Sequence, residues 1–251
     1  GDVLYPYWLE SGINTDSTVL WIKLDTLLGY QCKTIHMYYG NPGAPNGSAL
    51  AGTFDGPYYS TDTIDWTSVN SNNAGYNIGF RFKPKVNMIV SHLGRNSAGQ
   101  VVTLFDNYSN KLAQATVIEY GYHAYRHLEL PSVIRLRADS TYLLAVYLTL
   151  SGNNKTNPPV LSSSKINSHL TYVDARANKF PTSGNDVPNQ SYTNEIEGIP
   201  AMIFYVTNTA SSPVKWFTGA NNLKLTLPLA VQLCKATTLQ IGDTLQGRAH
   251  H

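Results

Sequence analysis

Two histidines and two glutamates recur at even spacing in one tyrosine-rich stretch. Glu119, His123, His127 and Glu129 would share one face of a β-strand, because side chains two residues apart in a strand point the same way. Imidazole and carboxylate groups are ligands for zinc and similar ions. A glycine and several tyrosines in the stretch favour a loop, however, and the two histidines would lie about 13 Å apart in an extended strand. We therefore predict a solvated polar face and no metal site.

A second acidic group follows residue 185. Glu195 and Glu197, with Asp186 nearby, supply carboxylate oxygens of the kind that calcium prefers. The sequence contains no Asp-x-Asp-x-Asp-Gly loop, so we predict no resident cofactor and keep calcium as the one open alternative.

Catalytic signatures are absent from the sequence. A glycoside hydrolase needs an acid and a base placed across a cleft, and dispersed carboxylates do not define such a pair. Serine, histidine and aspartate occur without Gly-x-Ser-x-Gly, and neither cysteine has a recognisable catalytic context. We expect no enzymatic activity and name no catalytic residue.

Aromatic residues in loops and near strand ends form the largest set of candidate contact residues. Such rings can stack on sugars, and the same residue types are enriched at subunit interfaces. Glycan contact, subunit contact and ordinary partial burial all remain open for them. The set comprises Tyr5, Tyr7, Trp8, Tyr58, Tyr59, Trp66, Tyr120, Tyr122, Tyr125, Tyr192 and Trp216.

The two cysteines, Cys32 and Cys234, lie far apart and form no Cys-x-x-Cys pair. This spacing excludes thioredoxin-type and zinc-ribbon motifs. The cysteines either form a single disulfide or remain as two buried thiols.

Strands must position these residues, because period-two alternation recurs at short intervals between clusters of Gly, Pro, Asn and Asp. Residues 79–84 alternate as a half-buried antiparallel strand does, and the apolar run 142–148 is expected at a sheet centre. Residues 101–105 and 112–117 flank a turn-forming loop and predict a hairpin. We predict an all-β chain with few or no helices, built as two antiparallel, jelly-roll-like β-sandwich domains in tandem.

Composition divides the chain into four parts. These are a strand-rich domain (1–56), a polar connector (57–75), a second sandwich (76–206) and a C-terminal segment (207–251). The last part contains the most regular alternation in the chain, at 223–233. Its aliphatic row consists of Leu223, Leu225, Leu227, Leu229, Val231 and Leu233. An amphipathic strand of this kind must bury its row against its own sheet or against a neighbouring subunit.

Composition also limits the partners. The chain has 251 residues, a net charge of +2 with interspersed signs, and only 14% charged residues, which excludes a polyanion-binding surface and makes nucleic acid an unsuitable partner. Its longest apolar stretch is about half the roughly 20 residues that a membrane-spanning helix needs, so we expect no transmembrane segment. The sequence opens without Met or a basic, apolar leader, and we expect any export signal to be removed or to lie outside it.

Three aromatic motifs follow one another near the start of the chain: Tyr-Trp-Leu-Glu-Ser at 7–11, Leu-Trp-Ile-Lys at 20–23 and Tyr-Tyr-Gly-Asn-Pro at 38–42. By these motifs, residues 1–56 resemble the C-terminal half of a prokaryotic extracellular domain of unknown function (2341 type). Strands that precede the Tyr-Trp motif in the family are missing, so either the chain is a fragment or another chain supplies them.

A second resemblance is carried by five short segments in a fixed order: 79–82, 104–106, 111–116, 136–142 and 180–182. By these segments, residues 76–206 resemble a second extracellular β-sandwich domain of unknown function (4082 type). Both resemblances imply a sandwich fold and a location outside a prokaryotic cell, and neither family supplies functional residues to carry over.

The resulting hypothesis is a non-catalytic extracellular structural protein that associates with itself or with other surface proteins. Strand pairing between subunits through 223–233 would build a filament or surface layer. The alternative is a carbohydrate-binding or adhesion module of a large surface protein, with glycans as partners.

Overall fold

The computed structural model describes residues 3–11, 17–24, 32–37, 43, 45–61, 76–95, 100–117, 126–148, 160–179, 183–192, 195–197, 200–207, 215–218, 229–234 and 244–250. Within these ranges the chain is almost entirely strand, which confirms the all-β prediction. The short segments there that are not strand include α1 (Leu50–Thr53), a turn in which Ala51 and Gly52 depart from helical backbone angles, and a 3-10 turn (Ser163–Lys165). No helix in the described part of the chain is long and apolar enough to cross a membrane.

The strands are β1 (Tyr7–Ser11), β2 (Ser17–Lys23), β3 (Cys32–Met37), β4 (Asp55–Tyr59), β5 (Tyr76–Pro84), β6 (Met88–Arg95), β7 (Gln100–Asp106), β8 (Lys111–Val117), β9 (Arg126–Leu136), β10 (Tyr142–Leu148), β11 (Val160–Ser162), β12 (Leu170–Lys179), β13 (Gln190–Tyr192), β14 (Glu195–Glu197), β15 (Ala201–Val206), β16 (Lys215–Thr218), β17 (Leu229–Cys234) and β18 (Thr244–His250).

The chain forms two compact units. Unit 1 consists of Gly1–Asp55 together with Thr207–His251, and unit 2 consists of Gly56–Val206. Unit 2 is therefore inserted, in sequence, between two segments of unit 1. This outline differs from the predicted one, because the C-terminal segment joins the N-terminal domain and because β4 runs across the predicted boundary between that domain and the connector at residues 56 and 57. Pro57 disguises β4 in the sequence, yet β4 is an edge strand, where proline is tolerated.

Unit 1 contains two three-stranded sheets, and each combines strands from both segments. One sheet has the order β1-β2-β18 and the other β16-β17-β3. Trp8 and Trp21 face each other across β1 and β2, and both are buried together with Leu24 and Phe54. The Phe54 ring lies 5.7 Å from that of Trp8 and 5.2 Å from that of Trp21, in edge-on contacts. These four side chains form the apolar interior of the described part of unit 1.

Unit 2 is a sandwich of two antiparallel sheets. The first has the order β13-β12-β5-β10-β7-β8 and the second β4-β15-β6-β9, beside a two-stranded β11-β14 pair. A single core between the sheets takes Phe80 and Phe82 from β5, Leu144 from β10, Val90 from β6 and Phe204 from β15. The apolar strand β10 lies between β5 and β7, which confirms its predicted central position.

The predicted hairpin between β7 and β8 is confirmed, and its turn explains the loop sequence. The Asp106 carboxylate accepts hydrogen bonds from the backbone N–H groups of Tyr108 and Asn110 at 2.8 Å each. Ser109 has φ 67°, in the left-handed region that such turns require. Desolvation opposes ionisation of Asp106, but its hydrogen bonds to Asn110 and Tyr108 outweigh that cost and lower its pKa.

Candidate functional site

The outer face of the four-stranded sheet gathers the titratable and aromatic side chains of unit 2. Met202 and Phe204 of β15 point into the core, so Ile203 and Tyr205 point outward. His92 of β6 is the cross-strand partner of Ile203 on one side and of Glu129 of β9 on the other, so these side chains share the outer face. We call the outward set Tyr59, His92, His127, Glu129 and Tyr205 the tyrosine–histidine face.

Gly94 makes the arrangement at one end of this face possible. It is the cross-strand partner of His127, and a Cβ atom at Gly94 would lie 2.3 Å from the Arg126 carbonyl oxygen and 2.7 Å from Cδ2 of His127. Ala201, the partner of Gly94 on β15, carries only a methyl group. The rings of His127 and Tyr59 therefore meet at a centroid distance of 5.4 Å, edge to face, although their strands lie at opposite edges of the sheet.

Burial controls the charge of His127. Desolvation, followed by the nearby charge of His92, lowers the pKa of His127 to about 4. His127 is therefore a neutral imidazole at neutral pH, when its ring can pack edge-on against Tyr59 without a charge to solvate. The His92 Nδ1 atom lies 2.8 Å from the Ser91 hydroxyl oxygen, which fixes that second imidazole on its strand.

Tyr205 of β15 is the most buried tyrosine of the tyrosine–histidine face. Burial raises the pKa of its phenol, with further contributions from Tyr59 and from the Glu129 carboxylate. Tyr205 is 8% exposed, whereas Tyr59 is 49% exposed and Glu129 is exposed. The face thus offers an accessible aromatic ring beside a carboxylate and neutral hydrogen-bonding groups, which is the chemistry of a contact surface for a polar, uncharged partner.

The opposite outer face, on the six-stranded sheet, is built differently. Asp174 of β12, 13% exposed, accepts two hydrogen bonds from Arg81 at 2.7 Å each, and further bonds from Arg176 and Ser191. Desolvation disfavours its charge, but the bonds from Arg81, Arg176 and Ser191 dominate and lower its pKa. Since donors of the sheet itself occupy both carboxylate oxygens, we assign this cluster a structural role.

A strap formed by residues 183–188 covers the remainder of that face. Val187 packs on Phe105, Leu143 and Ala145. The Thr103 hydroxyl donates to the Gly184 carbonyl at 3.0 Å, and the Asn185 side-chain oxygen accepts from Lys111 and Gln114 at 2.9 and 3.2 Å. Asn77 also donates to the Asp186 carbonyl. The strap seals the apolar centre of this sheet.

The residues weighed in the sequence as ligands of a metal ion or of calcium are only partly described. His127 and Glu129 share a face, while Glu119 and His123 lie outside the described residues. The Asp186 carboxylate accepts the Ser183 N–H at 3.1 Å, and Glu195 and Glu197 lie in β14. In the described part of the chain, no group of three or more His, Cys, Asp or Glu residues could hold a metal ion.

The predicted aromatic contact residues differ in how deeply they are buried, where the structure describes them. Trp8 is 9% exposed and Tyr58 packs against the core cluster beside Phe204, so both are interior side chains and cannot serve as contact platforms. Tyr5 and Tyr7 are half-buried, and Tyr59 is the exposed one. Tyr192 and Trp216 lie in β13 and β16, and Trp66, Tyr120, Tyr122 and Tyr125 lie outside the described residues.

The predicted assembly strand pairs within its own chain where it is described. Leu229, Val231 and Leu233 belong to β17, which lies between β16 and β3. The first half of the row, Leu223, Leu225 and Leu227, lies outside the described residues. The same register makes Cys32 and Cys234 direct cross-strand partners.

Two known protein families match parts of the chain. Residues 62–196, more than half of the chain, match the family described as Domain of unknown function (DUF4082). The chain belongs to the DUF4082 family. Residues 2–69 match a second family, Domain of unknown function (DUF2341). Both findings agree with the two resemblances read from the sequence.

The DUF4082 match spans most of unit 2, including β9, which carries His127 and Glu129. The C-terminal segment 207–251 lies outside both matches, so its pairing with β2 and β3 is visible only in the structure. No curated protein matches the chain.

Proposed function

We propose that this chain is a non-catalytic extracellular structural protein that self-associates by exchanging its C-terminal strands between copies. The observation that supports the proposal is the composition of unit 1. Strands β17 and β18 of the C-terminal segment pair with β3 and β2 of the N-terminal segment along six and seven register positions. Both sheets of unit 1 are incomplete without that segment.

Main-chain pairing of this kind can be made within one copy or between two. The hydrogen bonds are the same in both cases, so exchange costs little once the segment has left its own sheets. A segment given to the next copy leaves the donor's own β2 and β3 ready to accept another. Such a head-to-tail contact does not close on itself and builds a filament or layer.

We expect the protein to show a mass that rises with concentration in size-exclusion chromatography with light scattering, and regular assemblies in negative-stain images. A synthetic peptide of residues 215–250, which carries β16–β18, should cap the growing ends and shorten the assemblies in proportion to its concentration. A scrambled peptide is the control. A single monomeric mass at every concentration, under oxidising and reducing conditions alike, would contradict exchange.

A variant pair tests the same idea on the protein itself. Val231→Pro removes a backbone donor from β17, a strand paired on both sides, and should abolish assembly. Asn107→Pro is the matched control, because it follows Asp106 in the β7–β8 turn, where proline is favoured. Retention of the thermal transition of unit 2 in Val231→Pro shows that the variant is folded there.

A second candidate function, carbohydrate binding, is favoured by the tyrosine–histidine face. Tyr59 presents an accessible ring, and Glu129 beside it supplies acceptors for sugar hydroxyls. The contact between Tyr59 and His127 holds the Tyr59 ring in one orientation. Less side-chain entropy is then lost when a sugar binds to the ring.

Tyr59→Ala should therefore weaken retention on the recognised polysaccharide by about tenfold or more, equivalent to about 1.4 kcal/mol. Affinity electrophoresis or a glycan array measures the loss. Tyr108→Ala is the control, since Tyr108 is 83% exposed but lies in the β7–β8 turn. Equal effects of the two substitutions, or no retention of the wild-type protein on any glycan, would oppose this function.

A further inference from the structure

We infer that Cys32 and Cys234 form a disulfide between strands β3 and β17, which joins the two segments of unit 1 covalently. If β17 comes from another copy of the chain, the same bond links the two copies. The inference starts from the register of these strands. Cys32 is the first residue of β3 and Cys234 the last residue of β17, and each is the direct cross-strand partner of the other.

Backbone geometry makes this pairing suitable for a covalent bond. Directly opposed residues of an antiparallel pair have Cα atoms about 4.5 or 5.5 Å apart, depending on the hydrogen-bonding pattern. Disulfides span Cα separations of about 4.4–6.8 Å, so neither strand has to move. A shift of one residue in the register would carry Cys32 to the other face of the sheet from Cys234.

The composition adds a second, independent argument. The chain has only two cysteines, and they come from segments between which the whole of unit 2 is inserted. The fold nevertheless places them on one rung of one sheet.

The chemistry is a two-electron oxidation. The two thiols lose two protons and two electrons as the S–S bond forms, and a disulfide of a small thiol or of a thiol–disulfide oxidoreductase accepts them and becomes two thiols. Oxidising compartments outside the cytosol supply such acceptors, which agrees with the proposed extracellular location. Formation of the bond does not depend on strand exchange, whereas its formation between copies rests on the proposed function.

Peptide mapping under non-reducing conditions tests the bond. The protein is produced by export, denatured with an alkylating agent present, and digested with trypsin. Cleavage after Lys23, Lys33, Lys224 and Lys235 should release peptides 24–33 and 225–235 as one cross-linked species, which separates on reduction. Cys32→Ser should instead yield an alkylated Cys234 peptide. Two alkylated cysteines in the exported wild-type protein would overturn the inference.

Non-reducing electrophoresis then shows which copies the bond joins. A ladder of multimers that collapses to monomer on reduction supports both the bond and strand exchange. A cross-linked monomer without a ladder supports the bond and overturns exchange. Assemblies that contain alkylated, unbonded cysteines support exchange and overturn the bond.

Discussion

Replacement of Gly79 by alanine should destabilise unit 2 by about 3 kcal/mol. Gly79 is the cross-strand partner of Ala145 in β10 and of Arg176 in β12, so it lies between two central strands. A Cβ atom at this position would lie 1.9 Å from the Leu144 carbonyl oxygen and 2.6 Å from the Ala145 Cα atom. Both are backbone atoms of β10, so no side-chain rotation can relieve the overlap. The strands would have to separate, and they would lose ladder hydrogen bonds and core packing together.

Thermal and denaturant unfolding of Gly79→Ala measure this loss. Gly47→Ala is the matched control, because an added Cβ there would meet the Tyr7 side chain, at 3.3 Å from its hydroxyl oxygen. That contact can relax by rotation, and the control should lie within about 0.5 kcal/mol of wild type. An unchanged transition of unit 2 in Gly79→Ala would show that β5 and β10 can part without loss, against the packing described here.

The sequence predicts strands where large apolar side chains alternate with polar ones. Phe80 and Phe82 identify β5 for this reason, and the apolar run of β10 identifies its central place. Strand β12 does not stand out in the sequence, because its later inward residues are Ala175 and Ala177, which are fully or almost fully buried but too small to mark an alternation. Strand β4 is missed for another reason, because Pro57 is atypical of a strand interior. Short or small-residue strands become visible only once the partner sheet is known.

Pairing between distant segments is the part that one sequence cannot give. The bonds that join β17 to β3 and β18 to β2 are main-chain bonds, and they carry no residue code that marks the partner. The tyrosine–histidine face, too, can be predicted from the sequence only in part. The shared face of His127 and Glu129 follows from their spacing, whereas His92 and Tyr205 join them through the registers of β6 and β15. The small size of Gly94 is the one local signal of a close approach there.

Acid should destabilise unit 2 through His127, well above the pH at which carboxylates titrate. The pKa of His127 is lowered to about 4 in the folded protein from 6.5 as its ordinary value. Well above pH 6.5 the imidazole is neutral in both states and contributes nothing to pH dependence. As the pH falls from 6.5 towards 4, the unfolded chain binds a proton that the folded protein does not, so the free energy of unfolding decreases. The full loss, reached below pH 4, is about 3 kcal/mol.

His127→Phe isolates this contribution, because phenylalanine keeps a ring against Tyr59 and removes the titrating group. Unfolding free energies of unit 2, measured by denaturant titration between pH 7 and pH 4.5, should fall less steeply in His127→Phe than in wild type. His36→Gln, a substitution in β3 of unit 1, should follow the wild-type curve. Parallel curves for wild type and His127→Phe would mean that His127 accepts its proton as readily in the folded protein as in the unfolded chain. The neutral imidazole packed edge-on against Tyr59 would then have to be abandoned, and with it the oriented Tyr59 ring that the carbohydrate-binding candidate requires.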